Sequence, residues 1–263
     1  MSNLALSFSY NGTHRKSDRS IDPIEHLKML IAAIDCANPK GEHDVIVSAI
    51  CFDIWNMDQR ERNIALEVYK RARIVLSNNA QKNHQDGAAT SIRMATEFAA
   101  ATGKDYLIHL AEDIAVAPDF VEYFIKHLVD CDYVGTYWSM HPGKSFNTQV
   151  FGCRVSSFAD LWKNNFMMPF SIPRESDIER ELYNNITSNK LIYKVGDTHN
   201  NYSFFYPDKR GCPHLNGAPV LFHHEHNSNN FRKIVEGYGV KWFDETKEIK
   251  KITKTTKKNI SML

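Results

Sequence analysis

Two adjacent carboxylates follow an apolar segment near the middle of the chain. The segment runs from Asp105 to Leu110, and Glu112 and Asp113 come directly after Ala111. Carboxylate oxygens are the ligands that hard cations such as Mg²⁺ and Mn²⁺ prefer, so this pair could hold a divalent ion against a diphosphate. The alternative is structural, with Asp113 as the N-cap of a following turn.

A second polar cluster lies near the end of the chain, where an apolar strand-like run leads into His223, His224, Glu225 and His226. Alternate residues of a strand share one side, so His224 and His226 could share one ligand, such as a metal ion. Two histidines that bond neighbouring backbone carbonyls would explain the same pattern without a ligand. Both interpretations are open at this point.

The elements that position these residues begin with an alternation of strand-like and helix-like patterns. Leu4–Tyr10 alternates apolar and small polar residues, Pro23 opens a helix, and residues 24–34 place apolar side chains on one helical face. Further strands are predicted at residues 45–52, 73–76 and 105–110, and further helices around residues 64–72 and 92–99 and from Pro118 onwards. This alternation predicts an α/β fold with a mostly parallel central sheet flanked by helices.

Ligands bind outside the carboxyl ends of the strands in such sheets, so the segments that follow each strand are the candidate site. Three polar segments qualify, at residues 11–15, 78–86 and 111–113. Arg15, His84 and Asp86 are candidates for contacts with a bound ligand, and Asp86 could equally cap a helix. The later part of the chain is less regular, with strands predicted at residues 132–138, 148–154, 191–195 and 220–224 and a helix at residues 177–186.

Composition is that of a soluble globular protein, with 263 residues, 43% apolar and 24% charged, and a formal net charge of +1. No apolar run is long enough to span a bilayer, and the first residues lack the pattern of a secretion signal. Five scattered cysteines without a Cys-x-x-Cys pair argue against a disulfide framework or a structural zinc site. These features predict reduced thiols in a cytoplasmic protein, with one domain over residues 1–240 and a lysine-rich tail over residues 241–263.

Five segments, taken in order over residues 4–226, resemble the GT-A glycosyltransferases of the family 2 type. In those enzymes a strand ends in an Asp-x-Asp-like cluster and continues to a proline-led helix, as residues 105–120 do here. Leu4–Arg15 is similar to the first strand and donor loop of the family, and Asn83–Ala100 to its small-residue turn and alanine-rich helix. Phe151–Arg154 resembles the strand that lines the acceptor pocket, and Arg174–Leu182 the acidic acceptor-side motif.

The resemblance implies a Rossmann-like GT-A fold, with a nucleotide-sugar-binding half over residues 1–120 and an acceptor-binding half over residues 121–240. It implies a metal-dependent transferase that uses Mn²⁺ or Mg²⁺ and a nucleotide-diphosphate sugar, with a UDP-sugar as the expected donor. Two departures from the family pattern matter. Ile114 stands where the last carboxylate is usual, so that metal ligation rests on Asp113, and a serine separates Glu175 from Asp177 in the acceptor-side motif.

The resemblance also assigns roles to single residues. Asp177 would be the general base, with Glu175 as the alternative, and His224 or His226 would join Asp113 as a metal ligand. Trp138 could stack on a sugar or a base, or pack in the core, and Gly152 would line the acceptor pocket. The predicted donor-binding residues are Ser9, Tyr10, Asn11, Arg15, His84, Asp86, Glu112 and Asp113.

The expected acceptor is a glycan hydroxyl. A hydroxymethylated base in bacteriophage DNA is a second possibility, supported by six lysines between Lys247 and Lys258, although such runs are more often solvated tails. Two functions of other classes compete with sugar transfer. A metal-dependent hydrolase could be built on residues 223–226, and a non-catalytic nucleic-acid-binding protein could use the tail.

Overall fold

The computed structural model describes residues 3–11, 22–50, 52, 54–78, 84–137, 145–163, 178–195, 214–215, 218–219 and 222–244. The strands are β1 Leu4–Asn11, β2 Asp44–Ile50, β3 Ile74–Asn78, β4 Tyr106–Ala111, β5 Ile114–Val116, β6 Tyr133–Tyr137, β7 Phe146–Arg154, β8 Tyr193–Val195, β9 His214–Leu215, β10 Ala218–Pro219 and β11 Phe222–His224. The helices are α1 Pro23–Ala37, α2 Gln59–Arg71, α3 His84–Ala101, α4 Phe120–Leu128, α5 Val155–Lys163, α6 Ile178–Ser188 and α7 Ser228–Gly237.

Seven strands form the central sheet in the order β3-β2-β1-β4-β7-β6-β8. Strand β7 runs antiparallel to β4 and β6, and every other neighbouring pair in this sheet is parallel. The predicted mostly parallel α/β sheet is therefore confirmed. Two short ribbons lie outside it, β9 with β10 and β5 with β11.

Helices cover both faces of the sheet and enclose two hydrophobic cores. One core packs α1, α2, α4 and α7 against the sheet, and the other packs α3, α5 and α6. Strand β1 contributes to both, because Leu4, Leu6 and Phe8 face the first core while Ala5 faces the second. Burial on both faces is what the continuous apolar strands of a parallel sheet require.

Helix α1 shows how the local sequence defines an element. Asp22 caps its N-terminus by accepting a hydrogen bond from the Ile24 backbone N–H, and Pro23 occupies the first turn, where a proline costs nothing. The helix is buried along nearly its whole length, including the polar His26 and the stem of Lys28.

The structure differs from the sequence-based expectation around Pro118. The helix predicted to open there begins at Phe120, because Pro118 lies in a turn and Asp119 is the N-cap residue. Strand β5 and helices α5 and α7 were not predicted. Within the described ranges, no helix combines the length and the apolar character that a membrane crossing needs.

Candidate active site

The acidic pair lies at the carboxyl edge of the central sheet. Strands β1 and β4 are parallel neighbours in which Ser9 pairs with Ala111, so β1 and β4 reach this edge side by side. Glu112 and Asp113 then form the turn between β4 and β5. The pair therefore occupies the position at which ligands bind to open α/β sheets.

Asp113 meets the histidine cluster because the strands that flank the two segments pair with each other. Ile114 of β5 pairs antiparallel with His224 of β11, and the Glu225 backbone N–H donates to the Asp113 carbonyl at 3.1 Å. His226 then places its Nδ1 2.7 Å from Asp113 Oδ2. The His226 side chain is 67% exposed, whereas that of Asp113 is only 12% exposed, so the pair meets solvent on the histidine side.

Glu112 points to a different partner. Its Oε1 lies 3.0 Å from Nε2 of His26 in α1, and the two side chains are only 9% and 5% exposed. The His26 ring also packs against Tyr10 of β1, with 5.1 Å between ring centroids. Sequence reasoning missed His26, and its only signal was a lone histidine within the apolar helix that follows Pro23.

Both histidines are more basic than an ordinary imidazole. The hydrogen bond with Asp113 raises the pKa of His226, and the charges of Asp113, Glu112 and Glu225 act in the same direction. Burial alone would lower the pKa of His26, but the hydrogen bond and charge of Glu112 outweigh burial and raise it. Each histidine is thus held against a carboxylate by electrostatic attraction.

The Asp113–His226 pair has the chemistry of a divalent metal site. The 2.7 Å between Oδ2 and Nδ1 is a hydrogen bond in this structure, so an ion that took both atoms as ligands would displace the proton between them. Neighbouring ligands in an octahedral shell stand about 3 Å apart, so little movement would be needed. Among the described residues, no three His, Cys, Asp or Glu side chains form a metal-binding group. Mg²⁺ is commonly bound by one or two carboxylates together with substrate phosphates and water, so the Asp113 carboxylate fits such an ion and His226 would be an additional ligand beside it.

The remaining predicted residues are placed as follows. Ser9 and Tyr10 lie near the end of β1, where Tyr10 is 1% exposed and packs edge-on against Phe52. Gly152 lies in β7 with its α-carbon toward α4, since an added Cβ would come within 2.7 Å of Phe124. The donor roles of Ser9 and Tyr10 and the acceptor role of Gly152 stay predictions.

Several predicted residues fall wholly or partly outside the described part of the chain. Asn11 ends β1, His84 and Asp86 lie in the first turn of α3, and His224 ends β11, but their side chains are not described. Arg15, Trp138, Glu175 and Asp177 are outside the described residues altogether, as is the tail beyond Asp244.

Comparison with known proteins shows the fold. No family model matches the chain, and no curated protein matches its sequence. Among solved structures, the galactosyltransferase LgtC in complex with donor and acceptor sugar analogues superposes with a TM-score of 0.51 at 12% identity, covering 92% of this chain and 98% of LgtC.

Two further structures agree with that match. The glycosyltransferase GlyE of Streptococcus pneumoniae gives a TM-score of 0.54 at 11% identity, covering 97% of this chain and 64% of GlyE. A candidate nucleotide-diphospho-sugar transferase of Desulfovibrio desulfuricans gives 0.51 at 13% identity, covering 74% of this chain and 80% of that one. The fold is that of GT-A-type glycosyltransferases, as the sequence predicted.

Proposed function

We propose that the protein is a metal-dependent glycosyltransferase that moves a sugar from a nucleotide-diphosphate donor to a hydroxyl acceptor. The observation that carries this proposal is the 2.7 Å approach of His226 to Asp113 at the carboxyl edge of β4. The fold supports it, because LgtC and GlyE are both described as glycosyltransferases. A fold alone does not define a function, so the site must provide the chemistry.

Asp113 and His226 are the residues that would hold the ion. A divalent ion bound there supplies positive charge that stabilises the leaving diphosphate. Glu112 is held by His26 and keeps the turn after β4 in place, so that the Asp113 carboxylate stays directed at the donor. The donor itself would contact residues 9–15 and 84–86, the two other polar segments that the sequence predicts as candidate ligand contacts.

The proton of the acceptor hydroxyl needs a base if the anomeric configuration inverts. Asp177, or Glu175 in its place, is the proposed base, at the N-terminal side of α6. Loss of a general base lowers kcat by roughly 10² to 10⁴-fold. Asp177→Asn should show this loss with unchanged donor binding, and Glu175→Gln is the matched variant. Loss in Glu175→Gln alone moves the role to Glu175, and two fully active variants indicate retention of configuration.

The proposed donor is a UDP-sugar, and thermal stability is the direct test. UDP, GDP, CDP and TDP sugars would each be added with and without Mn²⁺, and the unfolding midpoint measured. A donor present at 100 times its Kd stabilises the folded state by about 2.7 kcal/mol. Stabilisation by one nucleotide that requires Mn²⁺ is expected. Stabilisation by none of them, in either condition, would contradict the proposal.

A glycan hydroxyl is the proposed acceptor, and a hydroxymethylated base in DNA is the alternative that the tail lysines favour. If the acceptor were duplex DNA, phosphate contacts would make binding fall steeply with added salt. Removal of residues 247–263 should then weaken DNA binding and flatten its salt dependence. If the full-length protein shows no salt-sensitive DNA binding at low ionic strength, the DNA alternative is wrong and the glycan remains the proposed acceptor.

Metal-dependent cleavage of substrates that contain no sugar nucleotide would instead favour a hydrolase.

A further inference from the structure

The position of His226 is not explained by secondary structure or by burial. Strand β11 ends at His224, helix α7 begins at Ser228, and the side chain of His226 is 67% exposed. An exposed side chain on an irregular segment has many accessible orientations, and each that is lost on folding costs entropy. The ion pair with Asp113 attracts the ring, and contacts of the neighbouring residues would add to it by fixing the backbone of this segment beside Asp113.

Glu225 makes the contacts that connect the segment to Asp113 and to α7. Its backbone N–H donates to the Asp113 carbonyl at 3.1 Å and so extends the β5–β11 pairing by one residue. Its side chain turns back, and Oε1 accepts a hydrogen bond of 2.7 Å from the Asn227 backbone N–H. This bond closes a turn whose middle residue is His226.

The carboxylate of Glu225 is buried, although the turn that it closes contains the exposed His226. The residue is 7% exposed, and within the described part of the chain its second oxygen, Oε2, is buried without a hydrogen-bond partner. The bond from Oε1 to Asn227 is therefore the described contact that orients this side chain. A buried carboxylate oxygen without a hydrogen bond lowers stability, so the burial of Glu225 calls for an explanation.

We propose that Glu225 is a positioning residue for the metal site, and that it acts by holding the turn that presents His226 to the ion bound by Asp113. This inference rests on the proposed function. Residues that orient metal ligands from outside the coordination shell typically change metal affinity by 10- to 100-fold when they are replaced. Asn227 is the natural comparison, because its side chain accepts from the Asn229 and Asn230 backbone N–H groups and caps α7 without any described contact to Asp113.

The experiment measures Mn²⁺ affinity of the full-length protein without donor, by electron paramagnetic resonance. Glu225→Ala should weaken Mn²⁺ binding by about 10- to 100-fold. Glu225→Gln should stay within about threefold of the natural protein, because the amide oxygen accepts the same hydrogen bond. Asn227→Ala should lower the unfolding midpoint, since it removes a helix cap, and leave Mn²⁺ affinity within about threefold.

Activity gives a second readout that a general loss of stability would not produce. Glu225→Ala should raise the Mn²⁺ concentration needed for half-maximal activity and leave kcat at saturating Mn²⁺ nearly unchanged. If Glu225→Ala does not fold, Glu225→Leu serves, because its side chain fills the buried space but has no acceptor for the Asn227 N–H, and it should weaken Mn²⁺ binding in the same way. Natural Mn²⁺ affinity in Glu225→Leu, or equal losses in Glu225→Ala and Asn227→Ala, overturns the inference.

Failure of this inference differs from failure of the proposed function. Asp113→Asn and His226→Ala should both weaken Mn²⁺ binding if the two residues are ligands. If they do so and the Glu225 variants bind normally, the site stands and the positioning role is wrong. If neither weakens binding, the metal site itself is wrong.

Discussion

Glu112 and Asp113 are neighbours in the chain, yet their partners place them in two different environments. Glu112 meets His26 where both side chains are less than a tenth exposed, and Asp113 meets His226 where the histidine is two-thirds exposed. The two pairs have the same chemistry, a carboxylate against an imidazole with a raised pKa. The main difference between the two pairs is the exposure of their histidine side chains.

That difference in burial implies a division of roles. In a buried pair both groups lose their hydration, and separating the two charges in the low-dielectric interior is costly. In the second pair Asp113 is buried but His226 is exposed, so solvent screens the pair on the histidine side and the ring can give way to an incoming ligand. We therefore expect Glu112 and His26 to act as structure under the proposed site, and Asp113 and His226 to be the groups available to an ion.

The largest expected effect on stability comes from breaking the buried pair. His26→Ala removes the imidazole that contacts the buried Glu112 carboxylate, and removal of one member of a buried ion pair costs about 3 to 5 kcal/mol. Urea unfolding of the metal-free protein would measure the loss. A cost below about 1 kcal/mol would put this pair in the same class as exposed surface pairs and remove the distinction drawn between them.

The next effect is on catalysis, through the exposed pair. Asp113→Asn should lower kcat by about 10²-fold or more while the fold stays intact, since loss of an electrostatic clamp on the transition state has that size. The matched control is Asp119→Asn, because Asp119 precedes α4 and makes no capping bond with its side chain. A variant that kept more than about a tenth of the natural kcat would show that Asp113 does not hold the ion.

His226→Ala is the counterpart of His26→Ala and should give the opposite result. The exposed His226 should contribute less than about 1 kcal/mol to the free energy of unfolding in the metal-free protein. Mn²⁺ binding, measured on the same samples, should be strongly weakened. A large loss of stability with normal Mn²⁺ binding would reverse the roles of the two pairs.

The smallest effect is a dependence of stability on pH. The folded-state pKa of His26 is raised above the ordinary 6.5, so the folded protein binds this proton more tightly than the unfolded chain. The stabilisation is complete below that ordinary value and is lost as the pH rises through the raised pKa. His26→Gln keeps a hydrogen-bond donor without a titrating group, so the decrease of unfolding free energy with rising pH should be smaller. Identical slopes in the two proteins would contradict this assignment.

Much of the fold could be predicted because its signals are local. The apolar alternation of Leu4–Tyr10 and the one-sided pattern after Pro23 correspond to β1 and α1, and the acidic pair does follow a strand. Strand β5 was missed because three apolar residues, Ile114–Val116, carry no periodicity of their own. Helix α7 was missed because its three buried residues, Phe231, Ile234 and Val235, form only a short apolar stripe among polar neighbours.

By itself, the sequence determined the α/β alternation, the place of Glu112 and Asp113 at the end of a strand, and the histidine cluster as a candidate ligand source. Only the tertiary structure decided which histidine meets which carboxylate. The β5–β11 pairing brings His226 to Asp113, and the packing of α1 against the sheet brings His26 to Glu112. Both contacts join segments far apart in the chain, and the geometry of such contacts is set by how strands and helices pack rather than by the pattern within either segment.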